Sequence, residues 1–339
     1  MSKHRIKSWV LGLLAFLFIT ACSSSSPPST VSVASSGCRL VQHSMGETQV
    51  CGQPEKVAAL SPHILDSILA LGVQPAAYAE TVRLNLPRFD NPTAQIPHLG
   101  NRITTQPVNL GDRQNPSLET LVQLKPDVII GEHWLHQDQY HLLSKIAPTL
   151  LFDDTKGKNQ HWTNDIIGIA QALDREAAAQ QLLKAFPQQL ATARQKLAPV
   201  VAKYPRVFVA STNQLASQVS VAPDSTAGEL MNAIGFEIVS PKLPTQPDTW
   251  AQISLEVLPT IDTDLIFVIG WTEGLYNPEK ELKQAWSQHQ LLKQMKAFQE
   301  NRIFFVDYQL WGSNIRGPIT DELILQQLPQ LLLPLLSKN

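Results

Sequence analysis

Residues 117–131 read SLETLVQLKPDVIIG, and residues 254–270 read SLEVLPTIDTDLIFVIG. Each copy places a serine where it can cap a short helix and a glutamate in the first turn, near the positive end of the helix dipole. A leucine follows at the fifth position and an aspartate at the eleventh, and an apolar run then closes on glycine. A run that is apolar at consecutive positions predicts a strand buried on both faces, as in a parallel sheet. Two unrelated α/β units can share a Ser-x-Glu helix start, but agreement of register as far as the aspartate favours one plan used twice.

The surroundings of each copy extend this reading. Upstream of the first, KVAALSPHILDSILALGVQPAAYAE predicts strand 57–60, helix 62–71 and strand 76–79, with Pro62 in the first turn and Gly72 just past the end. Residues 81–116 read as a long polar loop, and HLLSKIAPTLLFDD as another helix and strand. Between Trp162 and Tyr204 strand patterning disappears. ALDREAAAQQLLKAFPQQLATARQKLAPVVAKY predicts one long helix, kinked at Pro187, that acts as a spacer. Beyond it come strand 206–211, a helix ended by Gly235, FEIV, the second copy, a helix around WSQHQLLKQMKAF, strand NRIFFVD and a terminal helix from Thr320. The expected fold class is α/β: two lobes with mostly parallel sheets joined by one long helix.

The chain has 339 residues, 43% of them hydrophobic, which is enough for two cores. Its 27 basic and 29 acidic residues are dispersed, and no nucleic-acid face is expected. Lys3, Arg5 and Lys7 precede an apolar run over residues 9–19 that is short for a membrane span, so residues 1–21 read as a signal peptide. ITAC ends it at Cys22, and a Ser/Pro tether spans residues 22–37. The pattern resembles the lipobox of bacterial lipoproteins, which implies acylation of Cys22; an ordinary cleavage site with an incidental cysteine is the alternative. Cys38 and Cys51 flank a strand-turn-strand segment that brings them together, and in an oxidising compartment a disulfide is expected, with two buried free thiols as the alternative. Their spacing matches no zinc site.

The lipobox and tether, the GET hairpin, ALSPHILDSILALGV, NPSLETLVQLKPDVIIG, LLSKIAPTL, the single long helix and WGSNIRGP together resemble the substrate-binding lipoproteins of ABC importers for iron-siderophores and cobalamin, and most of all their ferric-hydroxamate and ferric-citrate branch. The resemblance covers the chain from Cys38 onward. It implies a class III periplasmic binding protein: two Rossmann-like lobes, residues 38–161 and 205–339, joined by a helical region over residues 162–204, with the ligand in the cleft between lobes. It further implies a monomer anchored by lipid on the periplasmic side of the envelope. Such a protein would capture an iron(III)-siderophore and deliver it to an ABC permease dimer with its ATPase subunits. No cofactor and no resident metal are implied. Glu119 and Glu256 match the glutamates that dock each lobe on the permease; without the resemblance, both simply favour their helix dipoles.

Ligand residues are expected on loops at strand C-termini. By position these are Arg83, Arg102, Arg113, His133, Trp134, Asn213, Trp250, Trp271, Tyr308, Trp311 and Arg316. Arg113, Trp250 and Trp311 resemble ligand-contacting positions of the ferric-hydroxamate branch. Guanidinium groups suit carboxylate or hydroxamate oxygens, and aromatic faces suit an organic skeleton. Ordinary packing remains the alternative for each tryptophan, and an ion pair with Asp112 or Glu119 for Arg113. Cobalamin or haem would also suit an aromatic cleft. Direct metal capture by His133, His136 and His141 is weaker, because their spacing does not put three imidazoles on one helical face. An enzyme is not expected: there is no Gly-x-Ser-x-Gly elbow, no phosphate-cradling glycine loop after the first strand and no carboxylate pair placed for acid-base work.

Overall fold

The aspartate at the eleventh position of each copy pins one strand entry to another. The computed structural model describes residues 37–80, 86–152, 162–212, 218–241, 251–270, 279–312 and 316–337. In the first copy Ser117 Oγ accepts from Thr120 N at 3.2 Å, and the helix Leu118–Leu124 ends at Lys125 in the left-handed region. Asp127 then accepts the amides of Glu55 and Lys56 on one carboxylate oxygen, at 2.9 and 2.8 Å, while its own N–H donates to Lys56 O. In the second copy Ser254 Oγ accepts from Glu256 N, and Asp264 exchanges the same pair of bonds with the backbone of Arg206. The expected second helix is instead a 3-10 stretch, Leu255–Thr260. Pro259 lies inside it and has no N–H to give to an α-helical turn.

In chain order the elements are a hairpin of β1 (Cys38–His43) and β2 (Gly46–Cys51), then β3 (Val57–Ala59), α1 (Pro62–Ala70), β4 (Pro75–Glu80), a short α2 (Pro92–Gln95), β5 (Val108–Asp112) and α3 (Leu118–Leu124). There follow β6 (Val128–Glu132), the one-turn α4 (His133–His136) and α5 (Tyr140–Leu143), β7 (Thr149–Phe152), α6 (Ile166–Leu173) and the 28-residue α7 (Glu176–Lys203). The remainder comprises β8 (Arg206–Thr212), β9 (Gln218–Val221), α8 (Thr226–Ile234), β10 (Glu237–Val239), β11 (Gln252–Ser254), β12 (Leu265–Gly270), α9 (Glu279–Gln288), the short α10 (Lys296–Gln299), β13 (Ile303–Asp307), the short α11 (Tyr308–Trp311) and α12 (Pro318–Leu332).

One sheet runs β5-β4-β3-β6-β7, parallel throughout. The other runs β11-β9-β8-β12-β13, with β10 also paired to β8. The two share a frame: β3 lies between β4 and β6 as β8 lies between β10 and β12, and the repeat strand then pairs with β7 or β13, all parallel. In the second sheet β9 is the reversed strand, antiparallel to both β8 and β11. Strand β5 lies inside the segment expected to be loop; an edge strand reading VNLGD, with two apolar residues, leaves little pattern to find. Asp174, left-handed, separates α6 from α7, and α7 continues through Pro187 and Pro199. The helix expected around residues 286–298 is broken after Gln288. Trp286, Leu292, Met295 and Ala297 all enter one core cluster, and that spacing does not lie on one helical face.

The sheets are covered on both faces. Ala58, Ala77 and Ile129 pack with Leu121 of α3, and Phe208, Ala210 and Val268 pack with Trp286 of α9. The opposite faces, carrying Val57 and Ala59 in one sheet and Val207 and Val209 in the other, belong to a single apolar cluster that passes through α1, α6, α7 and α12. Residues 37–339 accordingly form one compact unit. The hairpin carries the Cys38–Cys51 disulfide, docks on α6 where Arg39 donates to the carbonyls of Gln171 and Ala172, and docks on β7 where Thr48 Oγ1 donates to Thr149 O.

Helix α12 is held at its first turn by α1. Asp66 accepts from Ile319 N, Thr320 N and Thr320 Oγ1 at 2.9 to 3.0 Å. Gly317 passes so close that a Cβ there would lie 2.3 Å from the Asp66 carboxyl carbon. One residue further along, Asp321 accepts from Trp162 Nε1 at 2.9 Å. Burial pushes Asp66 up to about 7 and Asp321 up to about 6, from an ordinary 3.8. A carboxyl raised on folding adds stability that is complete below its unfolded pKa and is lost as pH climbs through its folded one. The thermal midpoint is therefore expected to fall between about pH 5 and about pH 8, and Asp321→Asn, which still offers Trp162 an oxygen, to flatten that fall. Calorimetry at both pH values checks this, and an identical slope in the variant would remove Asp321 from the account.

Candidate functional site

Parallel strands deliver their last residues to one edge of the sheet. At that edge stand Ser61 just after β3, Glu80 ending β4, Arg113 just after β5 and Glu132 ending β6. Glu80 is buried and accepts from Tyr78 Oη at 2.5 Å. Glu132 is entirely buried; Trp134 Nε1 donates to its Oε2 at 2.5 Å, and His63 Nε2 lies 4.0 Å from the same oxygen. Its other oxygen, Oε1, has no hydrogen-bond partner within bonding geometry among the described residues. Burial pushes Glu132 upward, but the charges of His63 and Arg113 and hydrogen bonds from Ser61 and Trp134 outweigh it and hold the carboxyl below its ordinary range. Glu132 is an ionised carboxylate kept out of water, which structures rarely contain without a use for it.

Arg113 is clamped by its backbone. Its N–H donates to Glu80 O at 2.8 Å, and its carbonyl accepts from His136 Nε2 at 2.7 Å. His136 is buried and its pKa lowered, chiefly by desolvation, so the ring is neutral. Since a carbonyl only accepts, Nε2 carries the proton of the neutral ring, and Nδ1 lies 3.0 Å from the amide and 2.9 Å from the carbonyl of Glu132. One imidazole thus fastens the loop after β5 to the end of β6. The half-buried Arg113 side chain directs its charge at Glu132, Tyr78 and His136.

The second sheet meets this edge through two histidines. His63, in the first turn of α1, donates Nδ1–H to Arg316 O at 2.9 Å. His98 Nε2 reaches Asp307 Oδ2, at the end of β13, at 2.6 Å. Asp307 also caps α11 through Leu310 N. The Arg316 guanidinium is buried and paired with Glu229 of α8, while its Nε has no hydrogen-bond partner among the described residues.

Of the expected ligand residues, the structure brings Arg113 and Trp134 together and places Arg316 and Tyr308 on the facing side. Trp134 is 42% exposed with its indole N–H held by Glu132, so its ring is presented to solvent in a fixed orientation. Tyr308 is half-buried against the main core. Trp311 is 2% exposed and stacks on Phe267, which makes it a core residue. Arg102 is not at this edge: it is exposed, and its carbonyl takes Gln74 Nε2 at the opposite end of β4. Arg83, Asn213, Trp250 and Trp271 lie outside the described residues, as does Cys22. Glu119 and Glu256 are both exposed in the first turn after their serine caps. His136 is committed to the backbone, His133 is half-buried and His141 exposed, and among the described residues no group of three or more His, Cys, Asp or Glu could hold a metal ion. The sequence reading missed His63, Glu80, His98, Glu132 and Asp307. Three of these were within reach, since SPH, YAE and IIGE each place a polar group at or just after the end of an apolar strand.

Hollows also lie elsewhere among the described residues. One of about 620 Å³ sits at the strand starts beside Arg206, Asp264 and Arg302, another of about 590 Å³ lies between α7 and α12, and one of about 700 Å³ between α7 and α8 reaches Arg316 and Glu229. The first is lined by groups already paired with each other: Arg206 with Asp262 and Asp264, and Arg302 with Glu300. The strand-end group, with a buried charge and an exposed aromatic ring, is the stronger candidate.

A family model for periplasmic binding proteins matches residues 57–310. The Fe(3+)-citrate-binding protein YfmC of Bacillus subtilis is 27% identical over 307 residues, 90% of each chain. The achromobactin-binding periplasmic protein of Dickeya dadantii is 27% identical over 266 residues, covering 76% of this chain and 80% of that protein. Among solved structures, Staphylococcus aureus SirA complexed with staphyloferrin B shares the fold at a TM-score of 0.65 and 23% identity, over 88% of this chain and 98% of that one. FhuD from Vibrio cholerae bound to Fe3+-Desferal shares it at 0.65 and 20%, over 83% and 98%.

The imidazole clamp makes a direct prediction. His136→Leu leaves the Arg113 carbonyl and the Glu132 amide unpaired, and is expected to lower unfolding stability by about 1–3 kcal/mol. Urea titration measures this, and an unchanged midpoint would mean that the loop after β5 is held by other contacts.

Proposed function

The chain belongs to the periplasmic binding protein family, and from that premise we propose that it captures an iron(III)-siderophore of hydroxamate or citrate type and delivers it to the permease of an ABC importer. The observation that carries this reading is the strand-end group itself: Arg113 and the exposed ring of Trp134, backed by Glu132, on one sheet, facing Arg316 and Asp307 on the other. A guanidinium beside an aromatic face suits a bulky chelate whose oxygens point outward. The relatives' names support the ligand class, since they are described as binding ferric citrate, achromobactin and ferric anguibactin. In this reading residues 38–161 and 205–339 are two lobes, residues 162–204 join them, and the ligand sits between the strand ends. The protein works as a monomer outside the cytoplasm, held to the membrane by lipid on Cys22, and performs no catalysis.

Two assays test the proposal. Arg113→Ala is expected to weaken binding of a ferric hydroxamate by about tenfold or more in a tryptophan-quenching titration, with the unfolding midpoint preserved; equal affinity would remove Arg113 from the site. Glu119 and Glu256 are read as the two docking carboxylates, one on each sheet-bearing half, which gives a two-point electrostatic register for a symmetric permease. Glu119→Lys combined with Glu256→Lys is expected to abolish uptake of iron chelate by cells while leaving affinity in solution unchanged. Uptake at the wild-type rate would show that docking uses another surface.

A further inference from the structure

We propose that Glu132 is a specificity-determining residue of this edge: standing behind Arg113 and Trp134, it turns the site toward ferric chelates of little net charge and away from polyanionic ones. The inference rests on the reading that the ligand is a ferric chelate, and it narrows which kind. Each described arginine here is already opposed by a carboxylate, Arg113 by Glu132 and Arg316 by Glu229. Two more carboxylates, Glu80 and Asp307, share the edge and hydrogen-bond to Tyr78 and His98. A chelate carrying several negative charges would have to approach against these groups, and Glu132 repels it through an interior where charge is poorly screened. Glu132 is fully buried, and its Oε1 has no hydrogen-bond partner among the described residues. A hydroxamate chelate, whose iron charge is cancelled by its own ligands, meets no such opposition and still finds the ring of Trp134 and the fork of Arg113.

Glu132 is fully buried, so it acts through those two neighbours rather than by touching the ligand. The test is a tryptophan-quenching titration of the intact protein with four probes: ferrioxamine B, which is cationic, ferrichrome, which is neutral, and ferric dicitrate and ferric enterobactin, which are polyanionic. The wild-type protein is expected to bind the first two at least about tenfold more tightly than the last two. Glu132→Gln keeps an acceptor for Trp134 but not the charge, and is expected to close most of that gap by improving the polyanions. Glu132→Asp, which keeps the charge, should retain the wild-type order. The inference is overturned if the wild-type protein binds dicitrate or enterobactin as tightly as the hydroxamates, or if Glu132→Gln weakens all four alike, as a purely structural residue would. Failure of all four probes to bind would instead overturn the proposed function, and this inference with it.

Discussion

The carboxylate of Asp66 decides where the two sheets meet. It sits on α1, which leaves the end of β3, and it takes the first free amides of α12, the helix that follows Arg316. A helix start exposes unpaired N–H groups, and the buried carboxyl oxygens of Asp66 accept from two of them. Gly317 has no room for a side chain because this approach is so close. With α12 seated there, the carbonyl of Arg316 comes within reach of His63, three residues before Asp66 on the same helix. The joint between the halves and the floor of the candidate site are therefore built on one turn of α1.

Each sheet is organised by a second carboxylate, Asp127 in one and Asp264 in the other. Both exchange backbone bonds with the residue that enters the neighbouring strand, so the repeat strand cannot slip relative to β3 or β8. Asp264 has an additional partner in the Arg206 side chain, and although partial burial pushes it upward, that contact holds it below the ordinary carboxylate range. With the aspartates fixed inward, the third residue of each copy is left outside in the first helical turn. Glu119 and Glu256 owe their exposure to this division of labour.

Much of this frame was legible in the sequence because it is written in periodicity and punctuation. The serine caps, Gly235 after α8, the consecutive apolar residues of β6 and β12 and the long α7 each have a local physical cause. What was not legible depends on distant partners. Strand β5 is recognisable only by its pairing with β4, and the second copy's helix becomes 3-10 at a proline whose effect depends on the turn around it. Of the arginines and tryptophans whose chemistry suits such a ligand, Arg113 and Trp134 stand at the strand-end edge, whereas Trp311 is a core residue and Arg102 lies at the far end of β4. Glu132 and His63 gain their meaning from contact across many intervening residues, which no local pattern encodes.

The continuous core limits how such a site could choose a ligand. One apolar cluster runs from Val57 and Ala59 through α1, α6, α7 and α12 to Val207 and Phe267, and opening the halves apart would expose it to water. Selection by a large closing motion would work against that cost. Groups already locked in position before binding are the alternative, since ordering them then costs nothing at the moment of capture. The clamp of His136 on Arg113, the bond from Trp134 to Glu132 and the pairing of Arg316 with Glu229 are all of this kind. A rigid edge cannot reshape itself around each chelate, so discrimination falls to the charge and hydrogen-bond pattern it presents. That pattern is set largely by which carboxylates stand behind the arginines.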